Sequence, residues 1–278
     1  MITFPKPIQP IGIFDSGIGG LTVARAITRL LPNEKIIYFG DTAHMPYGEK
    51  SAEAIKHYSL KIAEFLMFKN CKMIVIACNT ASAAGYKAVL KHTGMKDLVV
   101  NVIDPAAEFV VKNYYRKKIG VIATKRTVSS NVYSKRISHL DPVADVSQLA
   151  TPLLAPMIEE GFYNNKISQT IINSYLSKSK LGDIDALILG CTHYPLIKNE
   201  IQKFYGKKVA VIDSSEVVAN HVKSVLEKHN LLNPGSKFGL SKADKQFFVS
   251  DYTQSFEETS KIFFEEKVKL KQFNIWED

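Results

Sequence analysis

Three cysteines occur in the chain, Cys71, Cys78 and Cys191, and two of them stand where a thiol can do chemistry. Cys78 follows Ile74-Val75-Ile76-Ala77 and precedes Asn79-Thr80, while Cys191 follows Leu187-Ile188-Leu189-Gly190 and precedes Thr192-His193. Each apolar run reads as a buried strand, so each thiol falls at the C-terminal end of a strand among hydrogen-bonding residues. From position 78 to position 191 is a spacing of 113, about one domain. Cys71, at the close of a helical stretch, reads as inert packing. No metal is expected, because neither Cys78 nor Cys191 has a partner cysteine two to four residues away and His193 alone cannot complete four ligands. Two chemistries stay open. A cysteine with His193 as base would be a nucleophile. Two thiols on opposite sides of a substrate would instead remove a proton from one face of a carbon and deliver one to the other. A free thiol has a pKa of about 8.5, so a modest shift makes either ionisation state available near neutrality.

Two loops belong to the same edge. Asp15-Ser16-Gly17-Ile18-Gly19-Gly20 follows a strand and opens a helix, where glycines admit a ligand to the backbone and free helix N–H groups attract an anion. A dinucleotide fingerprint fails, since position 22 is Thr22 where the third glycine would fall, and no Gly-Lys-Ser/Thr follows for a Walker loop. A small carboxylate or phosphate remains. Gly40-Asp41-Thr42-Ala43-His44-Met45-Pro46-Tyr47-Gly48 follows the next strand and is too polar for core; His44 there reads as a hydrogen-bonder of the loop. Ligands of open parallel sheets bind beyond the carboxyl ends of the strands, which groups Asp15, Tyr47, Cys78, Thr124 and Cys191.

The elements that must position these residues are short apolar runs alternating with amphipathic stretches. Strands are expected over 11–14, 35–39, 73–77, 98–103, 119–123, 186–189, 209–212 and 246–249, each with consecutive rather than alternating apolar residues, as in parallel strands covered on both faces. Helices are expected from about 21 to Leu31-Pro32, where proline ends the element, and over 51–70, where the apolar residues recur near 3.6 spacing. The fold class is α/β: two similar doubly wound parallel-sheet domains with the active site in the cleft between them. The first would comprise 1–102 with 212–278 and carry Cys78, and the second 103–211 and carry Cys191. The likeness of the two cysteine segments suggests related halves.

Composition narrows the rest. The chain has 278 residues, 46% hydrophobic and 23% charged, enough apolar content to offset the entropy of ordering. Its net charge of +9 comes from scattered lysines and arginines with no interleaved aromatic platform, so no nucleic acid is expected. Three cysteines make no disulfide framework, which suits a cytoplasmic protein. No apolar run is long enough for a membrane span, and the segment Met1 to Pro7 lacks the charged and apolar regions of a secretory signal. His57, His92, His139, His221 and His229 fall in helical or loop stretches and are expected to be solvated.

Four blocks together resemble the signature of bacterial glutamate racemase. They are Ile13-Phe14-Asp15-Ser16-Gly17-Ile18-Gly19-Gly20-Leu21, Tyr38-Phe39-Gly40-Asp41 with Pro46-Tyr47-Gly48, Ala77-Cys78-Asn79-Thr80-Ala81-Ser82, and Leu189-Gly190-Cys191-Thr192-His193-Tyr194-Pro195-Leu196. The resemblance runs from about residue 11 to Val249-Ser250-Asp251, in the family's order and spacing. It implies a cofactor-independent enzyme that interconverts L- and D-glutamate for peptidoglycan synthesis, a homodimer with no membrane or nucleic-acid partner. Cys78 and Cys191 would be the catalytic pair, the first acting on the D-enantiomer and the second on the L-enantiomer. Asp15, Ser16, Tyr47, Gly48, Asn79, Thr80, Thr192 and His193 would contact substrate, with Thr124 a further contact. Asp15 and His193 would also assist the neighbouring thiols, and Asp15 is the candidate acceptor for the substrate ammonium. Helix starts after Ser16, Asn79 and Thr192 would supply N–H donors for the charge that develops on the substrate. The chain departs from many relatives at Thr151, where they carry a cysteine outside the catalytic pair. Glu159-Glu160-Gly161 matches the family, and one of the two acids is expected just behind the substrate contacts. A cysteine-nucleophile hydrolase or lyase, and a carboxylate-binding module without turnover, are the competing classes.

Overall fold

A computed structural model describes residues 5–235 and 244–276. Residues 1–4, part of the N-terminal segment considered above for a signal, lie outside the described residues, as do 236–243 and 277–278 at the far end of the first expected domain. The elements run β1 (Ile11–Asp15), α1 (Leu21–Leu30), β2 (Ile36–Gly40), α2 (Ala52–Phe68), β3 (Met73–Ile76), α3 (Asn79–Thr93), β4 (Val99–Asn101) and α4 (Ile103–Asn113). They continue with β5 (Lys118–Ala123), α5 (Lys125–Ser129), α6 (Val132–Leu140), β6 (Asp145–Ala150), α7 (Leu154–Glu159), α8 (Lys166–Leu176), β7 (Ala186–Gly190) and α9 (Lys198–Tyr205). The chain closes with β8 (Ala210–Ile212), α10 (Ser214–Lys228), β9 (Lys245–Val249), α11 (Gln254–Phe264) and β10 (Leu270–Gln272).

The strands form two parallel sheets, one of order β10-β9-β2-β1-β3-β4 and one of order β6-β5-β7-β8. The expected α/β class of two doubly wound sheets is therefore present. The likeness of the two cysteine segments is also a likeness of topology. Within the first four strands the order is 2-1-3-4, and the second four repeat it. Cys78 follows the third strand of the first set and Cys191 the third strand of the second. β1, β3 and β7 are wholly buried, which is why their sequences are continuous apolar runs up to the Asp15 that closes β1.

Two strands were not anticipated, β6 and β10. Both are edge strands with one buried residue each, Gln148 and Leu270, so neither carries a continuous apolar run. The expected strand over 98–103 is shorter, because Asn101 ends β4: its Oδ1 accepts the N–H groups of Ile103 and Asp104 at 2.9 Å each and starts α4. Among the histidines, His57, His92 and His139 are exposed as expected, but His221 and His229 are half-buried on and just beyond α10. Burial there moves the His221 imidazole below its ordinary pKa.

Side chains from the two sheets' loops meet across the cleft. Thr22 Oγ1 donates to the Thr192 carbonyl at 3.0 Å, Arg126 Nε to the Lys50 carbonyl at 3.0 Å, and the Thr80 and Thr124 hydroxyls lie 3.0 Å apart. The glycine loop is part of this seam. A Cβ on Gly19 would collide with His193, and one on Gly20 would sit 2.5 Å from the Asp15 Cβ. Gly19 and Gly20 let this loop pack closely on His193 and Asp15.

Candidate active site

The carboxyl ends of β1, β3, β5 and β7 converge on a cavity of about 120 Å3. Its walls include Ser16, Gly17, Tyr47, Gly48, Cys78, Asn79 and Thr80 from the first sheet's strand ends and loops, and Thr124, Glu159, Cys191, Thr192 and His193 from the second's. Drug-sized ligands occupy roughly 300–1,000 Å3, so this space suits a small metabolite. Cys78 and Cys191 are 6% and 7% exposed, yet both reach the cavity, whereas Cys71 packs under Gly12, whose Cβ would come within 2.9 Å of its sulfur. Burial pushes the Cys71 thiol up to about 12. Among the described residues no group of three or more His, Cys, Asp or Glu is arranged to hold a metal ion.

Cys78 is the N-cap of α3. Its Sγ accepts the Ala81 N–H at 3.4 Å and donates to Ser16 Oγ at 3.5 Å. Burial first, and then the charge of Asp15, push this thiol up to about 12, against the pull of the Ser16 and Ala81 hydrogen bonds. Asp15 itself is fully buried at the end of β1, with Oδ2 accepting the Gly17 N–H at 3.0 Å and Oδ1 without a partner among the described residues. Burial raises the Asp15 carboxyl above the ordinary 3.8, and the His193 charge opposes that rise. Asp15 is not among the residues lining the cavity; its carboxylate couples by charge to both the Cys78 thiol and His193.

Cys191 follows β7 in a different setting. Its Sγ lies 3.5 Å from His193 Nδ1, and His193 Nε2 lies 2.8 Å from Glu159 Oε1 at the end of α7. Burial works against a charge on this imidazole, but Cys191 and Glu159 on its two sides outweigh burial and hold it well above the ordinary 6.5. The thiol, imidazole and carboxylate thus form a line running out of the cavity.

The remaining expected residues divide by where their polar atoms point. Asn79 Oδ1 accepts the Tyr133 hydroxyl at 2.6 Å, which leaves the buried Nδ2 without a partner among the described residues. Thr80, Thr124 and Thr127 share hydroxyl contacts of 3.0 to 3.4 Å, and Thr124 also caps α5. Tyr47 lines the cavity, but its hydroxyl donates to Asp41 Oδ2 at 2.7 Å, while His44 Nδ1 (3.0 Å) and the Ser250 hydroxyl (2.8 Å) reach Oδ1 of the same carboxylate. It presents a ring, and not a donor, to the space. The expected helix starts differ from one another. α3 begins directly after Cys78, but Ser16 is separated from α1 by a turn in which the Leu21 and Thr22 N–H groups bond Ile18 and Gly19. Thr192 leads into a 3-10 turn, Tyr194–Ile197, whose short dipole adds little.

Comparison with known proteins bears on this arrangement. A family model described as Asp/Glu/hydantoin racemase matches residues 11–222. The chain belongs to that family. It is 42% identical to a glutamate racemase of Geobacter metallireducens over 90% of each chain, and 42% identical to one of Chlorobaculum parvum over 92% of each. Its fold is similar to that of the glutamate racemase of Francisella tularensis solved with D-glutamate: TM-score 0.88, 38% identity, covering 97% of this chain and 99% of that one. The family match explains why the two half-sheets, the cavity and both cysteine segments fall inside 11–222.

Within this racemase fold, Thr151 is buried and its hydroxyl lies 2.7 Å from the Tyr194 hydroxyl, supporting the turn after Cys191. Of the paired acids, Glu159 lines the cavity and reaches His193, while Glu160 caps the end of α7. Met45 and Pro46, from the loop that carries Tyr47, and Ala155 and Pro156, from α7, complete the apolar lining. Sequence reasoning did not include Ala155 and Pro156, because nothing in their local pattern separates them from ordinary helix residues.

Proposed function

We propose that the chain racemises glutamate by a two-base reaction between Cys78 and Cys191. The observation that carries this reading is that two buried thiols, from equivalent strand ends of two sheets, share one small cavity. In the L to D direction the Cys191 thiolate takes the α-proton and the electron pair of that C–H bond stays on carbon. The Cys78 thiol then gives its proton to the opposite face, leaving Cys78 as thiolate. The D to L direction runs the same steps backwards. The resting arrangement suits the first direction, with a protonated Cys78 beside Asp15 and a charged His193 beside Cys191.

The α-proton of an amino acid is weakly acidic because its carboxylate resists a second negative charge. Donors aimed at that carboxylate lower the cost, and exclusion of water strengthens them. The free Asn79 Nδ2 and the first turn of α3 are suited to this task. Ser16, Thr80, Thr124 and Thr192 offer further hydroxyls around the cavity, and Tyr47 and Gly48 shape its floor.

The same reading includes domains of 1–102 with 212–278 and of 103–211, a homodimer, a cytoplasmic place, and supply of D-glutamate for peptidoglycan. No cofactor enters the proposed steps. Among the described residues no helix is long and apolar enough to cross a membrane. Incubation with each enantiomer in D2O tests the function: solvent deuterium should enter Cα of both. No exchange with either enantiomer would refute the assignment. A covalent adduct on one essential thiol would favour the hydrolase or lyase class, and binding without exchange the carboxylate-binding module.

A further inference from the structure

One side chain touches both cysteine-bearing strand ends. Tyr133, on α6, is fully buried, and its hydroxyl donates to Asn79 Oδ1 at 2.6 Å, on the residue that follows Cys78. Its ring lies against Gly190, the residue that precedes Cys191, where a Cβ would sit 3.3 Å from Tyr133 Cε2. Glycine at 190 therefore lets the ring approach the strand end closely. The ring spans the seam between the two sheets, since α6 joins β5 to β6 of the second and Asn79 begins the helix after β3 of the first.

The hydroxyl also decides which end of the Asn79 amide is left free. An amide offers one acceptor and two donors, and a carboxylate can be bound only by the donors. With Oδ1 occupied by an O–H donor, the amide is held with Nδ2 as its free end. That Nδ2 is buried and has no partner among the described residues, while Asn79 lines the cavity. Burial pushes the Tyr133 hydroxyl well above its ordinary pKa, so it stays a donor throughout the working range.

We propose that Tyr133 is a positioning residue that fixes the Asn79 amide with its N–H groups toward the substrate carboxylate while its ring sets the approach of the two cysteine-bearing strand ends. The inference rests on the glutamate reading, because it assigns the Asn79 donors to a carboxylate. Tyr133→Phe keeps the ring and removes the donor. The amide is then free to turn its oxygen toward the anionic substrate, which weakens binding of either enantiomer equally.

The test is steady-state racemisation of both enantiomers by the full chain carrying Tyr133→Phe, Asn79→Ala, or both. Tyr133→Phe should raise KM about tenfold for L- and D-glutamate alike, with kcat within about threefold and an unshifted pH profile. In the Asn79→Ala background the same change should cost no more than about twofold, because the amide it orients is gone. An unchanged KM in Tyr133→Phe would overturn the proposal. So would a tenfold loss that persists in the Asn79→Ala background, or a loss confined to kcat. A wild-type chain without Cα exchange would fail the glutamate reading instead, so the two failures are distinguishable.

Discussion

Cys78 and Cys191 end topologically equivalent strands, yet their surroundings share almost nothing. After Cys78 a fifteen-residue α-helix starts at once, the thiol caps it, and buried Asp15 stands behind. After Cys191 the chain makes a turn and a 3-10 helix of four residues, and the thiol faces an imidazole backed by a carboxylate. Repetition of the 2-1-3-4 strand order places both thiols at one cavity, whereas the neighbours set what each does there. On one side burial and Asp15 hold the proton on sulfur; on the other, Glu159 and Cys191 hold a proton on His193. A racemase needs one proton taken and another given in each turnover, and unlike surroundings supply unlike resting states.

The strongest way to break this comparison is to remove either thiol. Cys78→Ser and Cys191→Ser should each reduce racemisation by about 1,000-fold or more, in line with the loss of a positioned acid or base. Cys71→Ser should stay within about twofold of the parent, since Cys71 lies outside the cavity. Coupled measurement of D-glutamate formation checks all three. Equal, small losses at Cys78 and Cys191 would end the pairing.

Glu159→Gln sharpens the Cys191 side. It removes a charge-assisted hydrogen bond to His193 of about 1.5–3 kcal/mol, so kcat/KM should fall roughly 10- to 100-fold. The two enantiomers have equal free energy in water, so the fall must be the same in both directions, and progress curves from each enantiomer will show it. A loss near twofold would mean that the His193 charge matters little.

The smallest effect concerns stability. The folded chain holds a proton on His193 that the unfolded chain releases above about pH 6.5. This contribution is complete below pH 6.5 and is lost as pH rises toward the raised folded value. Tm should therefore decline from pH 6.5 to about 7.5, a window below the titration of ordinary thiols, and His193→Asn should flatten that decline. Parallel slopes in parent and variant would show an uncharged His193.

How much of this was legible in the sequence depended on whether a residue's task is local. β1, β3, β5 and β7 are flanked on both faces, so their apolar runs announced them, and the thiols at their ends followed. Edge strands β6 and β10 carry mixed residues and gave no such signal. The glycines of 17–20 were legible as a turn, but their contact with His193 and Asp15 depends on the second sheet and has no local mark. Glu159 and His193 are far apart in the chain, and Tyr133 stands 54 residues from Asn79. Only folding brings such pairs together, so the resemblance could mark Glu159 as one of two acids without saying which reached the imidazole. Tyr47 was found by position while its hydroxyl was taken up by Asp41, a contact that spacing does not reveal.

The central claim is that two different thiols serve opposite faces of one carbon. Its most direct test follows the earliest turnovers of protonated L-glutamate in D2O and measures deuterium at Cα in the remaining L-glutamate and in the new D-glutamate separately. Thiols exchange with solvent, so Cys78 delivers deuterium, while the proton taken by Cys191 is not returned to the same face as deuterium. The account predicts deuterated D-glutamate beside L-glutamate still protonated at Cα. Deuterium appearing in both at the same initial rate would mean one base serving both faces, and would contradict it.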